Sequence, residues 1–182
     1  MSPVIQFRLF ARYNQAMNRN IYLAVERLTR AEIEADRGAF FGSILGTLNH
    51  ILVGDLIWLN RFAQHPSRHY ALNFARETDT PYSLDQILYG DFLDLREHRY
   101  FVDDHVIAWC AQLGDEDLDY PLIYKNMQGE ESARTMGLLV SHFFNHQTHH
   151  RGQVSTLLSQ YSIDLGVTDL LQLIPEQNTG NH

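Results

Sequence analysis

A chain of 182 residues and 21.1 kDa, 45% of them hydrophobic, can bury one good core but is too short for two ordinary domains. Its formal charge of −8 and pI near 5.6 exclude the basic, phosphate-tracking surface on which nucleic-acid binding depends. The single cysteine, Cys110, excludes an internal disulfide framework and a cysteine-based zinc knuckle, and fits a reducing compartment.

The N-terminal stretch has no basic leader followed by an unbroken apolar run and a small-residue cleavage site, so no secretory signal is expected. From Phe7, the positions Phe10, Met17, Ile21, Ala24 and Leu28 keep a three-and-four rhythm, which predicts an amphipathic first helix of about 25 residues ending before the charged segment 30–38. Ser43 is placed as the N-cap of a second helix that runs through Leu45, Leu48, Leu52, Leu56 and Leu59 to Phe62, with Pro66 limiting its extension. This helix is apolar nearly all round and is expected to be buried. Its most apolar run, "ILVGDLIWL", contains Asp55 and is too short to span a bilayer, so a soluble cytoplasmic protein with no membrane partner is expected.

The stretch from His65 to Pro81 reads as a loop. Ser83 and Gln86 have the spacing of a capping box, predicting a third helix in which Leu88, Leu95, Val102 and Trp109 recur every seven residues up to Gly114. The segment "DYPLIYKNMQGEESART" offers two short strands around "NMQG", a small hairpin between the third and fourth helices. The fourth helix carries Met136, Leu139, Val140, Phe143, Val154, Leu157, Leu158 and Tyr161 to about Ser162, and a loop-like tail with one short helical turn follows. Four long helices, each with an apolar stripe, make an all-α antiparallel bundle the expected architecture.

The chemistry lies in "HFFNHQTHHRGQ", residues 142–153, with four histidines in nine positions. At 100° per residue, and with His146 set at zero, the apolar arc of the fourth helix runs from roughly +20° to +120°. His150 falls inside it at about +40° and His146 lies at its edge, while His142 and His149, at about −40° and −60°, turn outward. His146 and His150 are therefore the inward H-x-x-x-H pair, whose imidazoles can converge on one ion. A functional centre needs a third protein ligand, and bundle sites draw theirs from a facing helix. His50 in "LGTLNHILVGD" is the candidate, flanked four residues away on either side by Gly46 and Gly54. Glycine in a helix costs up to about 1 kcal/mol relative to alanine, so the pair implies that space is needed beside His50, or equally that another helix packs closely there.

A lone buried histidine is also a common hydrogen-bonded core residue, and that reading stands beside the ligand reading for His50. His98 and His105 share a face of the third helix without a further ligand and read as surface or interface groups. Asp55 projects into the apolar side of the second helix, either as an acceptor supporting a ligand histidine or as a member of a buried ion pair. Cys110 and most of the aromatic residues follow the core stripes. His182 belongs to the tail and is not counted toward a centre.

The segments "RYNQAMNRNIY" at 12–22, "FFGSILGTLNHILVGDLIWLNRF" at 40–62 and "HFFNHQTHHRGQV" at 142–154 resemble the DinB-like proteins, the damage-inducible family of the DinB/YfiT superfamily, which is unrelated to the DNA polymerase of the same name. The resemblance covers nearly the entire chain. It implies a four-helix bundle with up-down-down-up connection, a homodimer, and one divalent metal ion on three histidines. Carried over by position, those ligands are His50, His146 and His150. Members of the wider superfamily are thiol-dependent transferases and isomerases that use bacillithiol, mycothiol or glutathione; this chain lacks the extra domain of the mycothiol-dependent isomerase, so that reaction is not implied.

Three neutral imidazoles leave an ion with open positions, the pattern of catalytic rather than structural zinc, and nickel binds imidazole well too. The leading expectation is a zinc- or nickel-dependent transferase that conjugates a low-molecular-weight thiol to a small electrophile. The alternatives are metal-assisted hydrolysis, with Asp55 and Glu131 as the candidate bases, and a stress-induced metal-binding dimer without turnover. A diiron bundle is disfavoured because the chain has no Glu-x-x-His motif.

Overall fold

The computed structural model describes residues 2–176, and His182 lies outside them. Ser2 accepts a hydrogen bond from Val4 N at 3.2 Å and Pro3 pre-sets the first turn, opening α1 (Pro3–Val25). Thr29 and Glu32 close a reciprocal capping box over α2 (Arg30–Glu34), a five-residue helix inside the charged segment where none was predicted. Ser43 caps α3 (Ile44–Phe62) through Gly46 N at 3.0 Å, as expected from the sequence. The supposed loop after it holds a 3₁₀ turn at Tyr70–Leu72 continuing into α4 (Asn73–Glu77).

The third long helix, α5 (Phe92–Gln112), starts eight residues later than the Ser83 capping box predicts. Ser83 bonds to the Asp85 side chain, Gln86 accepts from Tyr82 N, and Asp91 is the true cap through Leu93 N and Asp94 N. What keeps 84–89 out of a helix is α3. Asn49 Oδ1 accepts from Leu88 N at 2.8 Å and Tyr89 N at 3.0 Å, while Asn49 Nδ2 donates to Tyr89 O. A tertiary side chain has taken the backbone N–H groups that a helix begun after Ser83 would donate to the carbonyls of Leu84 and Asp85.

Beyond α5 come α6 (Asp115–Leu118), then β1 (Pro121–Lys125) and β2 (Glu131–Thr135), antiparallel with Ile123 opposite Ala133. The hairpin is the one expected. It leads directly into α7 (Met136–Ser159), and a 3₁₀ turn at Leu170–Leu173 supplies the helical turn of the tail.

Cross-helix contacts give the connection. Asn18 meets Asp103 and Glu26 meets Arg96, so α1 and α5 are antiparallel; Phe7 meets Phe144 and Asn14 meets Arg151, so α1 and α7 are parallel. Asp55 meets Arg99 and Phe62 meets Trp109, making α3 and α5 parallel, while α3 and α7 run antiparallel through His50 and His150. The result is an up-down-down-up four-helix bundle. Parallel α3 and α5 require a long return connection, and residues 63–91 provide it.

The core is apolar at its ends, around Leu48, Leu52, Leu95, Trp109, Phe143 and Leu158, and polar at its middle. There Asn14 and Asn18 of α1, Asp55 of α3, Arg99 and Asp103 of α5 and Arg151 of α7 form one buried seam, with Arg99 paired to Asp55 and, at 2.9 Å, to Asp103. Two carboxylates against two guanidiniums leave the seam formally neutral. Such a seam adds little net stability over apolar packing, but it penalises any register that separates its charges. No helix among the described residues is long and apolar enough to cross a membrane.

Candidate metal centre

Antiparallel packing of α3 on α7 carries His50, in the first half of one helix, to His146 and His150, either side of the middle of the other. His50 Nε2 lies 3.2 Å from His146 Nε2 and 3.1 Å from His150 Nε2. For bonds of ~2.0–2.1 Å, the edge of a tetrahedron around an ion is about 3.3–3.4 Å, so these separations are close to those of nitrogens that share one ion. The three rings belong to a cluster of donor atoms all within 4.8 Å of one another.

Hydrogen bonding on the far side of two rings decides where their protons are. His50 Nδ1 lies 2.8 Å from the carbonyl of Leu84, which can only accept, so Nδ1 carries the proton and Nε2 is a bare lone pair. His150 Nδ1 lies 2.8 Å from Gln153 Oε1, which imposes the same tautomer. Two lone pairs thus face each other at 3.1 Å with no proton between them. That is a repulsive contact unless a cation joins it, and three convergent imidazole nitrogens are a donor set suited to a divalent ion.

Burial is the largest reason that all three imidazoles sit below the ordinary histidine value, and each also feels at least one neighbouring histidine, His150 for His50 and His149 for His150. His146, the most enclosed by neighbouring histidines, is pushed down to about 3. His146 therefore stays neutral, as a metal ligand must, well below pH 7, and burial shifts the other two rings toward the same neutral form.

The two glycines have different reasons. A Cβ on Gly54 would stand 2.7 Å from His146 Cε1, so this glycine makes room for a site ring. A Cβ on Gly46 would meet the carbonyl of Phe41 at 2.1 Å, so this one admits backbone. That approach is also functional: the Phe41 ring stacks on His50 with centroids 3.8 Å apart and covers it.

Of the other candidates, His142 and His149 are exposed, as their helical angles predict. His98 and His105 are half-buried rather than on the surface, packed with Tyr89, Phe101 and Phe74 beneath the α3–α5 return connection. Asp55 resolves to the ion-pair alternative. Its carboxylate faces Arg99, and burial pushes it up to about 7 against the guanidinium's pull. Glu131 is exposed on β2. Neither candidate base of the hydrolase alternative hydrogen-bonds a site imidazole among the described residues.

An open cleft of about 490 Å³, lined by Trp58, Tyr124, Arg134, Leu138 and His142 among others but by none of the three rings, lies one turn along α7 from His146. His142 and His146 link it to the rings, with centroids 6.1 Å apart. Arg61 lies over both Trp58 and Tyr124, at 4.6 and 4.8 Å from their centroids. Sequence reasoning missed Gln153, Phe41, Asn49 and the Leu84 carbonyl. Only Gln153 carried a local signal, three residues after His150 and hence on the same helical face. The others become neighbours only when the chain folds.

The model of the family described as DinB family matches residues 1–176. Over 163 residues, 90% of either chain, this sequence is 26% identical to "Protein DinB" of Bacillus subtilis (strain 168). No solved structure matches.

Proposed function

We propose that this chain, which belongs to the DinB family, holds one divalent ion, zinc or nickel, on His50, His146 and His150 and conjugates a small thiol to an electrophile beside it. The observation that carries the reading is the 3.1 Å approach of His50 Nε2 to His150 Nε2 while Leu84 O and Gln153 Oε1 occupy the Nδ1 side of each ring. A divalent ion held by these three residues would supply Lewis acidity, which favours the thiolate form of a small thiol near neutral pH.

The protein's own side chains have three tasks. Leu84 and Gln153 fix the tautomers so that the Nε2 lone pairs point inward. Phe41 and the buried wall of α3 exclude water from one side of the rings. On the other side the Trp58–Tyr124 cleft offers aromatic surface for the electrophile, with Arg61 and Arg134 to receive an anionic group. The nucleophile has to come from outside. Cys110 is fully buried and its thiol is pushed up by burial, so it stays protonated and out of reach. In the reaction, a sulfur–carbon bond forms, the leaving group departs with its electron pair, and the thiol proton passes to solvent.

Conjugation rates with several small thiols and a reactive aryl halide, for zinc- or nickel-reloaded wild type and His146→Ala, test the proposal. Wild type is expected to exceed His146→Ala, which should fall to the uncatalysed background. Equal rates would reject the transferase and leave a metal-binding protein without turnover. The family resemblance supports a homodimer, and light scattering at twice the chain mass is the expected result.

A further inference from the structure

A second group of potential ligands lies at the other end of α3, in residues that the proposed reaction does not use. The short sequence "HPSRH" at 65–69, just past the end of α3 at Phe62, turns through Arg68, whose φ of +48° reverses the chain. This brings His65 and His69 into a nearly parallel stack with ring centroids 5.6 Å apart, both facing Asp117 of α6. All three are buried, at 4%, 7% and 5% exposure, and one donor atom from each lies within 4.8 Å of the other two.

An ordinary buried ion pair does not account for the geometry. A protonated imidazole beside a carboxylate closes to about 2.7–2.9 Å. His65 Nδ1 accepts a hydrogen bond from Ser67 N at 3.2 Å, a contact that an ion bound there would replace; it stands 3.7 Å from Asp117 Oδ1, and His69 Nε2 stands 3.5 Å from Oδ2 without the alignment of a hydrogen bond. These are near the ~3.3–3.4 Å edge expected between ligands of one tetrahedral ion. The Nε2 atoms of both histidines are buried and find no hydrogen-bond partner among the described residues, a state that buried polar atoms seldom keep. The carboxylate itself is oriented from behind. Ser67 Oγ donates to Oδ1 at 2.6 Å and Gly114 N to Oδ2 at 2.9 Å, leaving each oxygen a further lone pair.

We infer that His65, His69 and Asp117 form a second divalent-cation site, closed to solvent, that ties the α3–α4 connection to α6. Two imidazoles and a carboxylate are a borderline nitrogen and oxygen donor set, which suits zinc and its spectroscopic stand-in cobalt. The site cannot share the first ion. About fifteen residues separate His50 from His65, most of them along α3 at ~1.5 Å each, so the two clusters are roughly 20 Å apart. Since burial leaves no route for a substrate, the bound ion acts as a staple rather than as a catalyst.

Metal content per chain tests this. Untagged protein, stripped with chelator, reloaded with zinc and freed of loose ion, is expected to hold two equivalents. His69→Gln and Asp117→Asn should each hold one, His146→Ala one, and the double variant His146→Ala/His69→Gln none. A wild type with one equivalent that His69→Gln retains and His146→Ala loses would overturn the second site alone. One equivalent that His146→Ala retains and His69→Gln loses would uphold it while the first site fails. To guard against a misfolded variant, folded His146→Ala, with the second cluster intact, is titrated with cobalt alone. One equivalent with intense visible bands of a tetrahedral ion supports the site, and their absence overturns it.

Discussion

Gly54→Ala sets two effects of known size against each other. On an open helix surface, glycine to alanine stabilises by about 0.5–1 kcal/mol through propensity and chain entropy. At position 54 the new methyl would stand 2.7 Å from His146 Cε1, and reaching ordinary contact at 3.4 Å requires the ring to retreat by roughly 0.7 Å. His146 is enclosed by the other histidines, so that movement costs about 1–3 kcal/mol as overpacking, and the net effect on the metal-free protein is a loss of about 0–2.5 kcal/mol. The shift also exceeds the ~0.2 Å tolerance of a metal–nitrogen bond severalfold, so zinc affinity should fall by about 10–100-fold. Gly152→Ala is the control, an exposed position on α7 where a Cβ meets nothing within 4 Å. It should gain about 0.5–1 kcal/mol and bind zinc as wild type does. The assay is urea unfolding of metal-free protein together with zinc titration against a competing chelator. If Gly54→Ala is stabilised like Gly152→Ala and keeps wild-type affinity, the account of this glycine as space for a ligand ring is wrong.

Three further outcomes are expected. Gln153→Leu removes the acceptor that fixes the His150 tautomer and should weaken zinc binding by about 10-fold with little change in the fold, as read by the same titration and by circular dichroism. Asp55→Asn leaves Arg99 with Asp103 as its remaining charged partner and should destabilise by about 3 kcal/mol in urea unfolding while metal content stays at the wild-type level; lost metal with undiminished stability would instead make Asp55 a positioning residue of the centre. For pH, His146 is held down to about 3 against about 6.5 in the unfolded chain, so the unfolded state binds more protons between those values. Metal-free wild type should therefore lose stability as pH falls from 6.5 toward 3, by up to about 1.4 kcal/mol per unit from this group, and its Tm should drop more steeply than that of His146→Asn. Parallel curves would show that His146 is not buried neutral.

Helical periodicity and short-range chemistry are written locally, and where they governed the outcome the sequence was a sufficient guide. The Ser43 cap, the apolar stripes of the four long helices, the hairpin at 121–135 and the inward turn of His146 and His150 each depend on residues within a turn or two of one another. The Ser83 signal failed because Asn49, distant in sequence, takes the backbone groups of 88 and 89, a contact with no local trace. Asp55 stayed ambiguous for the same reason: only the parallel packing of α3 on α5 shows that Arg99 lies opposite it.

For the candidate centre, the sequence alone could say which histidines face inward on their helices, since direction on a helix follows from spacing. Tertiary structure decided that three of them meet, that Leu84 and Gln153 leave their lone pairs face to face, and that His65 and His69 reach Asp117 about fifty residues away. Convergence is a property of distances between separate segments, and those distances are set by how whole helices pack.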